Sequence, residues 1–267
     1  MVKMKKFYAG FICALTFSGF VTADISATVQ VGTSDYKLSY EKDDNQGNFI
    51  DRSFVSSDLL LTYSGDSGVK FGVKIGGLGQ ETYYEDDTPN TLDDISKKSV
   101  SRDDSSIFAQ YKILSIPVTV GFYSSELYEN YIDMETGYDN FYNESYEQPT
   151  GSQYLGNLKN SGYFAIGSYI LPISNSLGFI GKVGYQISSV KESYQYRSSF
   201  YDEYISVSRK TDGTASIYGG SIYYLLNSST TIVGSYDVKN FSYDNFDDGS
   251  SLEEEMSNLS MSLTYNF

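Results

Sequence analysis

The sequence predicts an all-β protein: a closed, antiparallel, up-and-down transmembrane barrel of ten strands, with eight or twelve strands as the alternatives. Three observations predict it. After residue 23 the chain is built from short segments in which apolar and polar residues alternate, with Tyr, Phe, Val and Ile on the apolar positions. The connections between these segments alternate strictly between short and long, the rhythm of a barrel with turns on one side of a membrane and loops on the other. No stretch after residue 23 approaches the roughly 18 consecutive apolar residues of a spanning helix. A chain that crosses lipid without helices must close its sheet, because lipid cannot satisfy an open strand edge.

The first residues read as an address. Lys3, Lys5 and Lys6 form a positive start, an apolar run follows from Phe7 to Phe20, and Val21-Thr22-Ala23 places small residues at a cleavage site. That layout is a secretory signal peptide over residues 1–23, leaving 24–267 as one barrel domain. Cys13, the chain's single cysteine, lies inside the apolar run. The exported portion therefore forms no disulfide.

In order, the strands are expected at 25–40, 54–64, 69–80, 105–113, 118–124, 161–171, 179–190, 215–226, 231–240 and 258–267. Most reach the roughly 9–11 residues of a tilted membrane strand, and the fifth is short. The connections near 65–68, 114–117, 172–178 and 227–230 are short turns. Those near 41–53, 81–104, 125–160, 191–214 and 241–257 are long. An even strand count puts both ends of the exported chain on the side of the turns.

The faces of the strands supply an independent test. Val69, Phe71, Val73 and Ile75 share one face of the third strand and Lys70 and Lys74 the other. The same sorting sets Ile107, Ala109, Tyr111 and Ile113 against Lys112, Val183, Tyr185 and Ile187 against Lys182, and Ile232, Tyr236 and Val238 against Asp237 and Lys239. A lysine turned toward the midplane of a bilayer costs about 2–4 kcal/mol, so the charged set Lys37, Asp58, Lys70, Lys74, Lys112, Lys182, Asp237 and Lys239 is expected to line the lumen. Asp58 and Lys74 should pair there, directly or diagonally across the turn at 65–68. The sixth and eighth segments are apolar on both faces, so their orientation is open. The first strand changes phase: Ile25, Ala27, Val29 and Val31 are odd, whereas Tyr36, Leu38 and Tyr40 are even. An extra residue near Gly32-Thr33-Ser34 would restore a single apolar face, which predicts a β-bulge there. Gly76-Gly77-Leu78-Gly79 ends a strand with no helix pattern after it, so it marks a bend or close approach and not a phosphate loop.

The chain ends on an alternating run, Leu259, Met261, Leu263, Tyr265 and Phe267, with the aromatic last. This resembles the C-terminal strand of small Gram-negative outer-membrane barrels of the opacity and porin-like types, and with the leader the resemblance spans the whole chain. It implies integral outer-membrane location, loops outside the cell, both mature ends in the periplasm, contact with lipid and lipopolysaccharide, and recognition of Phe267 by the barrel-assembly machinery. The interfacial Trp usual in such proteins is absent. Here 27 Tyr and 16 Phe would supply both aromatic girdles.

Charge narrows the function. The whole chain carries −15, and −18 once the three lysines of the leader are removed. That excess argues against nucleic-acid binding. Counting Glu41 with the first strand, the acids outside the long connections number six (Asp24, Asp35, Glu41, Asp58, Asp66, Asp237), balanced by six lysines, so the negative excess sits in the loops. Acidic loops repel one another and stay soluble. They could also hold divalent cations. Asp244, Asp248 and Glu255 are the candidate ligands, since Asp244, Gly249 and Glu255 fall at calcium-loop spacing, although Phe246 stands where an oxygen is needed. Tyr128, Tyr131, Tyr138, Tyr142, Tyr146 and Tyr154 crowd the third long connection. They would serve either a binding surface or the packing of the barrel mouth.

The chain contains no histidine. Ser-His and Asp-His chemistry is therefore excluded by composition, and no cofactor motif is present. Two readings remain. One is a non-enzymatic surface barrel, structural or adhesin-like, whose loops meet an extracellular ligand. The other is a narrow passive pore with a lysine-lined lumen. Barrels near eight strands can be filled by their own side chains, so a wide channel is not expected from ten.

Overall fold

The computed structural model describes residues 24–42, 45–65, 68–86, 94–139, 144–197, 205–247 and 249–267. Ten strands follow one another: β1 (Asp24–Lys42), β2 (Asn45–Ser64), β3 (Lys70–Asp86), β4 (Asp94–Ile113), β5 (Ile116–Asp139), β6 (Glu144–Pro172), β7 (Leu177–Arg197), β8 (Ile205–Leu225), β9 (Thr230–Tyr243) and β10 (Ser251–Asn266). Each pairs antiparallel with its neighbours, and β1 pairs with β10 from Ser26↔Asn266 to Glu41↔Ser251, which closes the barrel. The predicted leader lies outside the described residues.

All ten expected strands are present, but most are longer than alternation suggested. The stretches at 81–104, 125–160 and 191–214, expected as loops, are largely strand. β5 and β6 run to 24 and 29 residues, two to three times what crosses a bilayer. The reason is a change of solvent along each strand. Near the turns, the outward residues are apolar: Val29, Val31, Phe71, Ile107, Val183 and Leu259 are each more than half exposed on the outer wall. Farther from the turns the outer wall becomes polar, for example Ser101, Asp103 and Ser105 on β4. The inward residues become apolar instead. Tyr36, Leu38, Ile50, Phe54, Leu78, Val100, Leu127, Leu158, Val190, Phe241 and Leu252 form a buried core inside the barrel. In lipid the apolar side faces out; in water it faces in.

This inversion corrects the reading of the first strand. Tyr36 and Leu38 do not return to the lipid face through a bulge at 32–34. The register is continuous there, from Val31↔Ser57 to Ser34↔Phe54, and shifts only between Leu38 and Ser39. The phase of the apolar residues changes because their environment changes. It also corrects Lys37. Lying between buried Tyr36 and Leu38, it points outward, with Asp51 and Glu255 as its cross-strand partners. The two-faced sixth and eighth strands resolve as well. Tyr163 and Tyr169 of β6 and Tyr218 and Ile222 of β8 face outward, while Phe164 packs against the core and Ile217 is buried.

Glycine permits two close approaches. Gly76 lies opposite Asp58, and an added Cβ would meet the Asp58 carboxylate oxygen at 2.1 Å. Gly77 follows at φ 149°, and the β3–β4 register slips just beyond it, between Leu78 and Glu81. The Gly76–Gly79 run is thus the expected bend. Between β4 and β5 the turn is two residues, Leu114 and Ser115, both at positive φ, which matches the twist of the flanking strands.

Candidate functional site: the barrel interior

The inward residues of the membrane-spanning part carry the predicted charges. Lys74 Nζ lies 2.8 Å from Asp58 Oδ2. The register places Asp58 opposite Gly76 and Leu60 opposite Lys74, so the pair is diagonal, one of the two registers the sequence allowed. On the far wall, Lys182 Nζ lies 2.6 Å from Asp237 Oδ1, from β7 across β8 to β9. Lys239 stands two residues above Asp237 on the same face. Lys70 and Lys112 sit nearest the turns. Of the residues expected to line the lumen, Asp58, Lys74, Lys182, Asp237 and Lys239 line one cavity, Lys70 and Lys112 are not part of its lining, and Lys37 is on the outer wall.

These groups surround a cavity of about 250 Å³, lined among others by Ser34, Asp58, Lys74, Asp104, Lys182, Gln186, Asp237, Lys239 and Asn258. Phe108, Phe164 and Ile166 close in from one side. Phe108 is set deep because Gly72 opposite it has no side chain: a Cβ there would meet the ring at 2.2 Å.

Above the cavity the interior is sealed, and a polar chain that sequence reasoning missed runs through the seal. Arg102 on β4 makes an ion pair with Glu254 on β10 across the barrel, and its Nε donates to Asp104 Oδ1 at 2.9 Å. The Arg102 guanidinium also lies over the Tyr36 ring, 5.5 Å from its centroid. Tyr243 donates to Glu254 Oε2 at 2.6 Å and accepts from Asn160 Nδ2 at 2.7 Å, while Tyr123 donates to the Asn160 carbonyl oxygen. Side chains from β4, β5, β6, β9 and β10 thus meet inside the barrel. Burial would lower the basicity of Arg102, but the charges of Asp104 and Glu254 outweigh it and hold Arg102 firmly protonated. Burial, followed by the charge of Glu254, pushes the Tyr36 and Tyr243 phenols well above their usual range, so they remain neutral. Arg102 beside Asp103 and Asp104, and Glu254 between Glu253 and Glu255, read equally well as solvated loop, so the sequence did not single out this network.

Nearer the long hairpins a second pair, Arg209 with Glu192, packs under Phe246. The guanidinium lies 4.2 Å from that ring's centroid and donates to Ser250 Oγ at 2.6 Å. Phe246 is 3% exposed and joins the core. The end of the calcium-loop spacing is instead strand, since β10 begins at Ser251. Glu255 lies on the outer face of β10 opposite Asn240, Asp244 donates its backbone N–H to Asp212, and Asp248 lies outside the described residues. Among the described residues no three carboxylates or other ligands cluster for a metal. Of the loop tyrosines, Tyr154 stacks on Tyr194 with ring centroids 5.5 Å apart, and Tyr131 lies under Lys98. Burial and the charges of Glu129 and Glu192 push the Tyr154 phenol up. The side chains of Tyr138, Tyr142 and Tyr146 lie outside the described residues.

The terminal motif runs along the outer wall. Leu259, Met261, Leu263, Tyr265 and Phe267 are all about half exposed or more, and the Phe267 N–H donates to the Ile25 carbonyl at 2.9 Å, locking the chain end onto β1.

No protein-family model matches the chain, and no curated protein matches it. Solved structures do. The outer-membrane protease OmpT from Escherichia coli superposes with a TM-score of 0.60 at 12% identity, over 93% of this chain and 99% of that one. Neisserial surface protein A covers 90% of this chain at 8% identity and a TM-score of 0.34. Ail of Yersinia pestis, in complex with the heparin analogue sucrose octasulfate, covers 90% at 10% identity and a TM-score of 0.30. The likeness to OmpT is one of fold. The chain has the architecture of an integral outer-membrane β-barrel.

Proposed function

We propose that this protein is a non-enzymatic, non-conducting surface barrel, with its long hairpins outside the cell and both mature ends in the periplasm. Its strands extend well beyond the bilayer as a stiff, acidic, tyrosine-bearing platform for an extracellular ligand. The observation that carries this reading is the seal. Where the lumen leaves the membrane, it is filled by apolar side chains and crossed by the Arg102–Glu254 pair. A narrow pore would need a hydrated path at that level. The absence of histidine and the engagement of Glu254, Asp104 and Glu192 by arginines and tyrosine favour a structural over a catalytic use of the buried carboxylates. The test is single-channel recording of the purified protein in a planar bilayer. No stepwise conductance is expected. Stable, reproducible steps would restore the narrow pore as the better reading.

A further inference from the structure

Three lysines stand side by side on the outer wall. Lys159 of β6 is paired with Lys191 of β7, and Lys191 is paired with Lys210 of β8. All three are exposed. They face outward because their chain neighbours face in: Leu158, Asn160, Val190 and Glu192 are buried, and Arg209 reaches inward to Glu192. With strands about 4.8 Å apart, the row spans about 10 Å. The chain has 19 Lys and Arg against 34 Asp and Glu, so three cations in register do not follow from composition. Like charges set directly opposite one another destabilise a sheet. Among the described residues none of the three ammonium groups makes an ion pair. The carboxylates nearby are Glu126, Asp212 and Asp244. Glu126 of β5 lies opposite Lys159 but accepts from Asn157 Nδ2 at 2.6 Å. Asp212 lies opposite Ser189, two residues from Lys210, and the Asp244 N–H donates to its backbone carbonyl.

The row stands just above the apolar band. Four residues nearer the turns on the same strands, Tyr163 and Ile187 are paired with each other and are 65% and 54% exposed, and Ser161 and Ser189 lie between. On a tilted strand that separation is a rise of about 10 Å. A lysine side chain can bend back along the wall to shorten it. Tyr163 packs edge-on against Phe122, with ring centroids 5.5 Å apart, the kind of aromatic pair that marks a membrane interface. From there toward the turns an apolar depression of about 1070 Å³ crosses the outer wall, lined among others by Phe71, Ile107, Phe122, Tyr163, Tyr185 and Ile187. A ligand that matches both features carries anionic groups above and acyl chains below. Basic residues beside a membrane attract anionic head groups.

We propose that Lys159, Lys191 and Lys210 bind the phosphate groups of lipopolysaccharide in the outer leaflet, whose acyl chains lie against the wall at Tyr163, Tyr185 and Ile187. The inference rests on the reading that the long hairpins lie outside the cell, which puts the row on the outer-leaflet side of the apolar band.

The experiment is native mass spectrometry of the purified, folded barrel in neutral detergent micelles, equilibrated with a short-chain lipopolysaccharide. The adduct with one lipid should saturate. Its apparent Kd should rise at least about tenfold in the triple variant Lys159→Gln, Lys191→Gln, Lys210→Gln, since charge-assisted contacts to phosphate are lost. The dephosphorylated lipid should bind the native protein as weakly as the intact lipid binds the triple variant. Lys37→Gln, an outward lysine on β1, should leave binding unchanged. If the triple variant lacks the folded gel mobility, Lys191→Gln at the centre of the row carries the comparison, with weaker binding expected. Equal binding by the native protein and the folded variant overturns the proposal, and so does binding indifferent to the phosphates. Micelles have no sidedness, so these results stand apart from orientation, which protease cleavage on intact cells decides. A reversed orientation there overturns the outer-leaflet assignment while leaving the micelle result intact.

Discussion

Arg102 and Glu254 are 152 residues apart in sequence and form an ion pair inside the barrel, with side chains 2% and 1% exposed. Their strands, β4 and β10, are not neighbours in the wall, so the contact crosses the lumen. Removing either partner leaves an uncompensated buried charge, which costs about 3–5 kcal/mol, whereas replacing both with apolar residues of similar size is often nearly neutral. Arg102→Met and Glu254→Leu should each lower the equilibrium stability of the barrel by that amount in urea. The double variant should recover most of the loss. Single variants within about 1 kcal/mol of the native protein would show that the pair does not hold the seal.

Asp58 and Lys74 form the contrasting case. Their contact is short, but the Lys74 side chain is 40% exposed within the lumen cavity. A screened pair of this kind contributes about 0–1 kcal/mol. A double-mutant cycle of Asp58→Asn and Lys74→Met in urea should return a coupling in that range. A coupling of about 3 kcal/mol or more would mean that the cavity is dry.

Stability should fall at high pH. The folded state raises the phenol pKa values of Tyr36, Tyr154 and Tyr243 above the usual 10.0, chiefly by burial. A group whose pKa is raised on folding contributes stability that is intact below its unfolded pKa. That stability is lost as pH rises from there toward the folded value. Melting temperatures should therefore hold steady up to about pH 9.5 and decline above it, with phenolate absorbance appearing together with unfolding. Tyr36→Phe and Tyr243→Phe should flatten the decline, and an unchanged slope in both would place its cause elsewhere.

Protease added to intact cells should cut within the connections between the long hairpin strands, above all between β5 and β6, and spare the turn at 65–69. Cutting at that turn in intact cells would reverse the proposed orientation. Before and after boiling, the protein should migrate differently on a gel, as a closed barrel does.

Deleting Phe267 should impair outer-membrane assembly while leaving export and leader cleavage intact. The residue is 68% exposed, and the structural loss on its removal is small: its N–H bond to Ile25 and an edge contact with Tyr265. A purified truncated barrel that folds in micelles but assembles poorly in cells would separate recognition from stability. Normal assembly in cells would remove the recognition role.

The sequence by itself determined the fold class, favoured ten strands over eight or twelve, and marked the lipid-facing residues near the turns and the inward charges Asp58, Lys74, Lys182, Asp237 and Lys239. Period-two alternation reports sidedness directly where one face meets lipid, because a misplaced lysine there is costly. It also limited Asp58 and Lys74 to two registers, since a strand can slip only by even steps without turning its faces over. The tertiary structure alone decided where alternation changes meaning. Tyr36 and Leu38 read as outer-face residues behind a bulge, and Lys37 read as lumen. They are the reverse, because above the bilayer the same period-two pattern packs its apolar side inward against water. The Arg102–Glu254 contact and the meeting of Lys239, Gln186 and Ser34 around one cavity were equally out of reach. They depend on which strands face one another once the sheet has closed, and alternation within a strand carries no information about the opposite wall.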